Sequence, residues 1–595
     1  MCLEAELESS PFASRLDSNY VATDSESLEL KTLLKGPTSR LDELSHRLQE
    51  LNKLSTKIQN ERTSLLLSIS KHRALMSLVR KLPIDILQEI FIACLPSTHN
   101  AVMSKWEPPI LLTQICSSWR NIAHATPQLW KSIHIAVPCS SPGIYASEYP
   151  NFRSTVEQVA SRRSEAVQEW ITRSAACPLD ISLTVQWEYI PQDEFCEKMI
   201  DYLIRFSERW RQVSFSAPHR ALVPLAALPT SKVPLLESLH LNCGRAHFTP
   251  VHVFPHLDCQ SVWIKSGVMR APKLREIRLA QINEDATRLP VNWSQLTNLS
   301  LETSWGASSS SLSISRAYKI LSLSRNLISC RLEVGITTEY DEEPLPFDEN
   351  SAPISLPFLT SLSIREGAGS LSKLFALLHL PSLDTLEFHT AIRPIPESRT
   401  SLLSLLTNPH NCMLQHLITD AQLFRRDDFI KCLRLCPSLK SLAIRKVFAM
   451  SYAMRSPQPW PQMDSPACRV DDSFLKMFIS LDDDNSDDQD SGTYLCPQLN
   501  DFESSSETAF SEDTLLQFIK AKNGDNSNGL AKLKRLFVIF YCRPLTDIIP
   551  ELEPYKQAGL EATISYPHLA YPAPFSPFEG LPNTNQPGYL PPFYY

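Results

Sequence analysis

The apolar positions of this chain change their spacing along its length, and each change marks a new kind of structure. Residues 38–82 contain neither proline nor glycine, and their leucines and isoleucines recur at alternating steps of three and four. That spacing places the apolar side chains on one side of a helix. We therefore predict a long amphipathic helix with coiled-coil character over residues 37–80. Residues 1–36 are rich in serine and acidic residues, and we predict that they are disordered.

Two heptad series carry the apolar side chains of this helix. The first series contains Leu41, Leu48, Ile69 and Met76. The second contains Leu44, Leu51, Ile58, Leu65 and Val79. The two series together form the apolar seam of the helix, which is interrupted by Ser55, Arg62 and His72. A homodimer formed through this helix and a helix docked on the next domain both fit the pattern, and the sequence leaves both open.

Shorter helical patterns follow Pro83 and predict a compact bundle of three short helices over residues 81–135. Pro83 stands in a first helical turn, where its missing N–H costs nothing. A second periodic stretch covers residues 110–123, and a Pro-x-Leu-Trp segment closes the region at Trp130. The side chains expected in the core of this bundle are Phe91, Leu95, Leu111, Trp119, Leu129 and Trp130.

The order of these residues resembles an F-box, whose family pattern begins with LPxE and ends with P-x-LW. The chain supplies Leu82-Pro83, Ile86-Leu87, Ile90-Phe91, Leu95, Ile115-Cys116, Trp119-Arg120, Ala123, Pro127 and Leu129-Trp130. Asp85 stands where the family commonly has Glu, and the loop between the first two helices is longer than in the compact F-box. The chain is similar to the F-box-like proteins abundant in mushroom-forming fungi, which tend to carry an upstream coiled-coil helix.

The resemblance implies docking on a Skp-type adaptor and, through it, on the cullin of a cullin–RING ubiquitin ligase. Such docking lays apolar side chains of a helix into a groove of the partner. The residues expected to face the adaptor are Leu82, Pro83, Ile86, Leu87, Ile90, Ile115 and Cys116. Some of these side chains also fit the interior of the bundle itself, and the sequence does not separate the two roles.

A third pattern, P-x-L-x-x-L-x-φ with φ an apolar residue, recurs along the rest of the chain. The first leucines of its units are Leu236, Leu274, Leu296, Leu327, Leu359, Leu383, Leu414, Leu439, Leu499 and Leu533. The x-L-x-φ part reads as a strand, and helical stretches lie between the units. The units resemble divergent leucine-rich repeats and predict an α/β solenoid with a curved parallel sheet over residues 136–565. A non-repetitive α/β domain rich in leucine is the alternative.

Two segments lie outside the repeat pattern. The interval between Leu439 and Leu499 holds a proline-rich stretch and the acidic run 482–490, which predicts a disordered acidic insertion at about residues 450–495. The tail, residues 566–595, is rich in proline and tyrosine and is predicted to be extended and disordered.

The composition limits the kinds of catalytic, metal and cofactor site that the chain could form. Among 595 residues only 14 are glycine, and neither of the two closest glycine pairs completes a phosphate-binding loop. The 15 cysteines are scattered and form no set of four zinc ligands with histidine. We therefore expect no catalytic residue, no metal and no cofactor.

Charge and hydropathy bear on the partners and the compartment. The net charge of −8 argues against a nucleic-acid partner, which favours a basic face. No apolar run reaches the roughly 18 residues of a membrane span, and the acidic start lacks the pattern of a signal peptide. We expect a cytoplasmic or nuclear protein with no membrane partner.

These patterns together predict a substrate-recognition subunit rather than an enzyme. The F-box-like segment would hold the ligase, and the repeats would hold a target protein that the sequence does not identify. The alternative is a non-catalytic scaffold of coiled coil and leucine-rich repeats that acts outside a ubiquitin ligase.

Overall fold

The computed structural model describes residues 7, 10–16, 18–76, 78–138, 152–185, 194–243, 262–282, 284–302, 312–334, 353–367, 371–390, 400–408, 414–445, 468–479, 494–505, 508–524, 529–540, 548–566, 576–578 and 581. The chain divides into two compact units, Met1–Glu89 and Ile90–Tyr595. No helix in the described ranges combines the length and the apolar character needed to cross a membrane.

The first unit is dominated by helix α1 (Asp24–Leu75). It begins well before residue 37, so the prediction of disorder for residues 1–36 is wrong from Asp24 onward. Glu26 explains the early start, because its carboxylate reaches back to the residue before the helix, as the third residue of a capping box does. The Thr23 backbone N–H and hydroxyl donate to Glu26 Oε2 at 2.9 and 2.8 Å. Pro37 lies inside the helix, where it removes a single backbone hydrogen bond.

The Glu26 carboxylate is held ionised at this helix start. The backbone N–H of Thr23, then the hydroxyls of Thr23 and Tyr20, donate hydrogen bonds to it and lower its pKa to about 2. A carboxylate in the first helical turn also interacts favourably with the helix dipole.

Short helices form where the sequence places them after Pro83. They are α2 (Ile84–Ala93), α3 (Ile110–Ile115) and α4 (Ser117–His124), followed by a 3-10 turn at Pro127–Trp130. The Cys116 thiol caps α4 by accepting a hydrogen bond from the Trp119 backbone N–H at 3.4 Å. A residue that the resemblance assigns to adaptor binding therefore also has a local structural role.

The second unit contains a large parallel sheet of 14 strands. Sixteen strands are described: β1 (Ser132–Val137), β2 (Leu179–Val185), β3 (Trp210–Ser216), β4 (Ser238–Asn242), β5 (Glu276–Ala280), β6 (Asn298–Glu302), β7 (Ser329–Val334), β8 (Ile354–Ser355), β9 (Ser361–Glu366), β10 (Leu378–His379), β11 (Thr385–Thr390), β12 (His416–Thr419), β13 (Ser441–Ile444), β14 (Asp501–Ser504), β15 (Arg535–Ile539) and β16 (Glu561–Ser565). Fourteen of them pair in chain order, and β8 and β10 form a separate small sheet.

The helices of this unit lie between the strands in the chain. They are α5 (Phe152–Arg173), α6 (Glu194–Ile204), α7 (His219–Ala226), α8 (Ile314–Leu323), α9 (Ser372–Ala376), α10 (Ser401–Leu406), α11 (Arg426–Arg434), α12 (Asp472–Lys476), α13 (Glu512–Asn523) and α14 (Ile549–Gln557). Strand order that follows chain order, with neighbours as the only partners, is the topology of a solenoid-like α/β fold.

The repeated leucines set the register of the sheet. Leu239 pairs with Ile277, which pairs with Leu299, and the same position continues through every predicted unit to Leu536. The first leucine of each unit is buried, with at most 4% of its surface exposed. One buried row therefore runs from strand to strand, because side chains in a strand alternate between its two faces.

A row of phenylalanine rings continues the core through the later repeats. Phe424 stacks on Phe429 with centroids 5.4 Å apart, and Phe429 stacks on Phe474 at 5.8 Å. Phe388 precedes this row, and Phe478, Phe502 and Phe518 extend it. Phe474 and Phe478 lie in the interval predicted to be a disordered insertion.

The insertion prediction is therefore wrong for residues 468–479. Helix α12 forms there because the Asp471 carboxylate accepts the Phe474 backbone N–H at 2.9 Å as an N-cap, and Phe474, Leu475 and Phe478 are fully buried. The acidic run 482–490 and most of the tail after residue 566 lie outside the described residues.

Four strands that the repeat pattern does not mark complete the sheet, namely β1, β2 and β3 at its start and β16 at its end. The free edge of β1 is covered by the long loop between α2 and α3. Val102 forms a parallel bridge with His134, whose N–H donates to the Ala101 carbonyl at 2.8 Å. The unusual length of this loop has a structural use, because an uncovered edge strand invites pairing with other chains.

Candidate functional site

Helix α2 is apolar on two sides, and only one of them is buried. Leu87 and Phe91, four residues apart, are 6% and 0% exposed. Ile86 and Ile90, also four residues apart, are 48% and 41% exposed. Residues at this spacing share a helix face. Ile86 and Ile90 therefore form a small exposed apolar patch on one side of α2.

The other residues expected to face an adaptor differ in exposure. Pro83 is exposed, Leu82 is half-buried, and Ile115 and Cys116 are exposed. Leu87 is buried, at 6% exposed, so its side chain packs inside the protein in this structure, and its assignment to the adaptor surface stays a prediction. Sequence spacing alone does not separate Ile86 from Leu87, since adjacent positions on a helix both border the same apolar stripe.

The residues expected in the core of the bundle separate into two groups. Phe91, Leu129 and Trp130 are buried, whereas Leu95, Leu111 and Trp119 are half-buried. The rings of Phe91 and Trp119 are in contact, with centroids 4.8 Å apart and planes tilted by 54°. This aromatic pair contributes specific packing beyond its buried area.

Trp130 joins the short helices to the start of the sheet. Its indole N–H donates to the Ala123 carbonyl at 2.8 Å, and its ring meets Trp170 of α5 edge-on at 4.9 Å. The guanidinium of Arg173 lies 4.8 Å from the centre of the same ring, an arrangement that allows a cation–π interaction. Burial of the indole is compatible with its polar N–H because that group is hydrogen-bonded.

A second candidate surface is the polar face of the parallel sheet, opposite the buried leucine row. Over strands β1 to β4 most polar groups of this face are uncharged, and the exception is Asp180, which forms an ion pair with Arg211. His134 Nδ1 lies 2.9 Å from Ser182 Oγ, and Ser214 Oγ lies 3.0 Å from His240 Nδ1. Burial lowers the pKa of His240, which favours its neutral form.

From β7 to β11 the same face becomes charged. Arg331 Nη2 lies 2.8 Å from Glu387 Oε2, and His389 Nε2 lies 3.1 Å from Glu387 Oε1. Desolvation opposes ionisation of Glu387, but hydrogen bonds from His389 and Ser363 and the charge of Arg331 outweigh it and lower its pKa to about 2. Glu387 is therefore an acceptor only, so the Nε2 atom of His389 carries the proton that it shares with this carboxylate.

Further along, arginines pair with carboxylates of neighbouring strands. Arg445 binds Glu503 through Nε and Nη2 at 2.7 and 2.9 Å, and Arg535 binds Asp501 at 2.9 and 2.6 Å. Such two-point pairs fix the orientation of both side chains. The result is a preformed polar surface with alternating charge.

Among the described residues of the polar face, the contact between Ser214 and His240 comes close to a catalytic serine–histidine pair. A serine nucleophile needs an oriented base, and no described carboxylate hydrogen-bonds the second nitrogen of His240. Among the described residues, no group of three or more His, Cys, Asp or Glu is arranged to hold a metal ion. Burial raises the pKa of the thiols of Cys436 and Cys496 to about 12, which keeps them protonated and unreactive.

The charged cluster at Arg331, Glu387 and His389 did not emerge from the sequence. Glu387 and His389 alternate within one strand, a signal for a shared face, but Arg331 lies two strands away in the sheet. Comparison with known proteins identifies no family: the sequence matches no protein-family model, and no curated protein matches it significantly.

Proposed function

We propose that this chain is a substrate-recognition subunit of a cullin–RING ubiquitin ligase. In this proposal the F-box-like segment docks a Skp-type adaptor, and the polar face of the sheet binds a target protein. The chain itself performs no chemistry; it raises the local concentration of target lysines beside a ubiquitin-charged enzyme.

The observation that carries the proposal is the exposure of Ile86 and Ile90 on α2. A helix of ten residues with one buried and one exposed apolar side suits a partner that offers a hydrophobic groove. Ile115, at the end of α3, presents a further exposed isoleucine. The ordered residues from Leu82-Pro83 to Leu129-Trp130, which resemble an F-box, favour a Skp-type adaptor as that partner.

The polar face suits target binding because its side chains are already oriented. Ion pairs such as Arg445–Glu503 fix groups that would otherwise lose entropy on binding. Alternating charge favours recognition of a particular arrangement of charges on the target rather than attraction of any polyanion or polycation.

Calorimetric titration of the full chain with a purified Skp-type adaptor tests the proposal. We expect the double variant Ile86→Lys, Ile90→Lys to bind at least tenfold more weakly, because two anchors would be replaced by charges. Ile328→Lys is the matched control, since Ile328 is 46% exposed but lies in the repeat region. If the wild-type chain does not bind, or the double variant binds equally well, the proposal is wrong.

A further inference from the structure

The seam of helix α1 is exposed along its whole length. Its apolar side chains Leu41, Leu44, Leu48, Leu51, Ile58 and Leu65 are between 49% and 64% exposed. They stand at alternating steps of three and four in a continuous helix of 52 residues. A single helix cannot bury such a stripe by itself.

We propose that α1 pairs with α1 of a second copy of this chain as a parallel, in-register, two-stranded coiled coil. This inference is independent of adaptor docking and concerns only the first unit. Covering the six side chains on both copies removes on the order of 1,000 Å² of apolar surface from water. That area reaches the size expected of a specific interface.

The polar interruptions of the seam select the parallel arrangement. In an antiparallel pair one heptad series faces the other, so Ser55 and Arg62 would lie opposite positions that are Leu or Ile throughout residues 44–65. In a parallel, in-register pair Ser55 faces Ser55 of the second copy, and every apolar position faces its own equivalent. Arg62 then faces Arg62 of the second copy, so the two long side chains must extend out of the seam toward water, which specifies register at some cost in stability.

The flanking charges are compatible with the same arrangement. In a parallel dimer, Arg40 would meet Ser45 of the other copy, and Arg47 would meet Asn52. The flanking pairs between residues 40 and 73 bring no like charges together. Within each helix, Arg40 and Arg47 are held by Glu43 at 2.5 and 2.6 Å, which places these charges along the side of the seam.

Sedimentation of the full chain tests the pairing. The chain has a mass of 67.2 kDa, and we expect the wild-type protein at micromolar concentration to sediment with about twice that mass. Leu44→Glu with Leu51→Glu should weaken self-association at least 100-fold, because it places charges in the seam. His46→Glu with Lys53→Glu, on the opposite side of the same helix, is the matched control and should remain dimeric.

A mixing experiment tests register and separates loss of pairing from loss of folding. Leu51→Glu and Leu51→Lys should each be monomeric, and an equimolar mixture should form a dimer, since opposite charges then face each other. Helix content by circular dichroism should be unchanged in both. A monomeric wild-type chain would overturn the proposal, as would dimers that survive the seam variants; a mixture that stays monomeric would overturn the parallel register.

Discussion

Arg331 and Glu387 form an ion pair across an intervening strand. The two residues lie on β7 and β11, with Ser363 of β9 between them, and the guanidinium still reaches the carboxylate at 2.8 Å. This pair ties three strands together on the polar face, and the half-buried carboxylate is held by three neighbours. It is the clearest point at which the surface that we propose for target binding also stabilises the sheet.

Glu387→Gln should therefore destabilise the fold in a pH-dependent way. The folded pKa of about 2 lies below the ordinary 4.5, so the carboxylate contributes stability above about pH 4.5, and this contribution is lost as the pH falls toward 2. Denaturant unfolding should show the variant less stable by about 3 kcal/mol at pH 7, with the difference shrinking toward pH 2. Glu302→Gln, whose more exposed carboxylate lies 3.9 Å from Arg331, should cost under about 1 kcal/mol. Equal effects of the two substitutions would contradict this account.

Lys522 should give a pH dependence of the same sign, but in the alkaline range. Its ammonium group is fully buried, donates to the Leu499 carbonyl at 2.7 Å, and has a pKa lowered by desolvation to about 8. Between about pH 8 and 10.5 the unfolded chain binds a proton that the folded chain does not, so stability rises with pH. Relative to Lys522→Met, the wild-type protein should gain about 3 kcal/mol over that interval.

Lys520→Met is the control for that measurement. Lys520 is exposed on the same helix, and its ammonium group donates a hydrogen bond to the Glu551 carboxylate at 2.7 Å, which raises its pKa. The wild-type protein should gain no stability relative to this variant as the pH rises. A pH-independent difference between the wild-type protein and Lys522→Met would show that the buried amine does not titrate as expected.

Removal of the Trp130 side chain should unfold the junction between the short helices and the sheet. Trp130→Ala should cost about 3–5 kcal/mol, because a fully buried ring that contacts Trp170 would be lost. Trp130→Phe should cost about 0.5–1.5 kcal/mol beyond the effect of the smaller ring, because one hydrogen bond to the Ala123 carbonyl is lost while that carbonyl keeps the Thr126 backbone N–H at 3.3 Å. Trp106→Ala, at a tryptophan that is 72% exposed, should change stability by less than about 0.5 kcal/mol in thermal unfolding.

The phenylalanine row predicts a large effect in the middle of the repeats. Phe429→Ala removes a ring stacked on both Phe424 and Phe474 and should cost about 3–5 kcal/mol in equilibrium unfolding. Phe358→Ala, at an exposed ring that precedes β9, should have an effect several times smaller. Comparable losses from the two changes would mean that the row does not contribute to the core as described.

The register of the sheet could be predicted from the sequence, since leucines at fixed offsets specify both the strand and its buried face. The unit at Leu414-x-x-Leu417 matches the repeat pattern only weakly. It still forms strand β12, because β11 and β13 pair with it on its two sides. Strands β1 and β16, like β2 and β3, lie outside the recurring unit, so the leucine pattern does not predict them. Composition predicts disorder at Asp24 and at residues 468–479, whereas the structure has helices there, each begun by a single carboxylate, Glu26 or Asp471, that accepts a backbone N–H.

The candidate surfaces were harder to predict than the fold. Whether Ile86 or Leu87 is exposed depends on how α2 is rotated about its own axis. An apolar stripe that includes both residues does not determine that rotation. The Arg331–Glu387 pair joins residues 56 positions apart in the chain, and it requires the register of three strands. Short-range patterns specify elements, whereas ion pairs across strands depend on the completed sheet.

Quantitative co-purification from the native cells tests the central proposal most directly. The full chain and its Ile86→Lys, Ile90→Lys variant would be isolated at equal amounts, and the adaptor and cullin bound to each would be measured by mass spectrometry. We predict about one adaptor for each wild-type chain, with cullin present, and at least a tenfold loss of both from the variant. Absence of adaptor from the wild-type isolate, or equal amounts on both chains, would contradict the account.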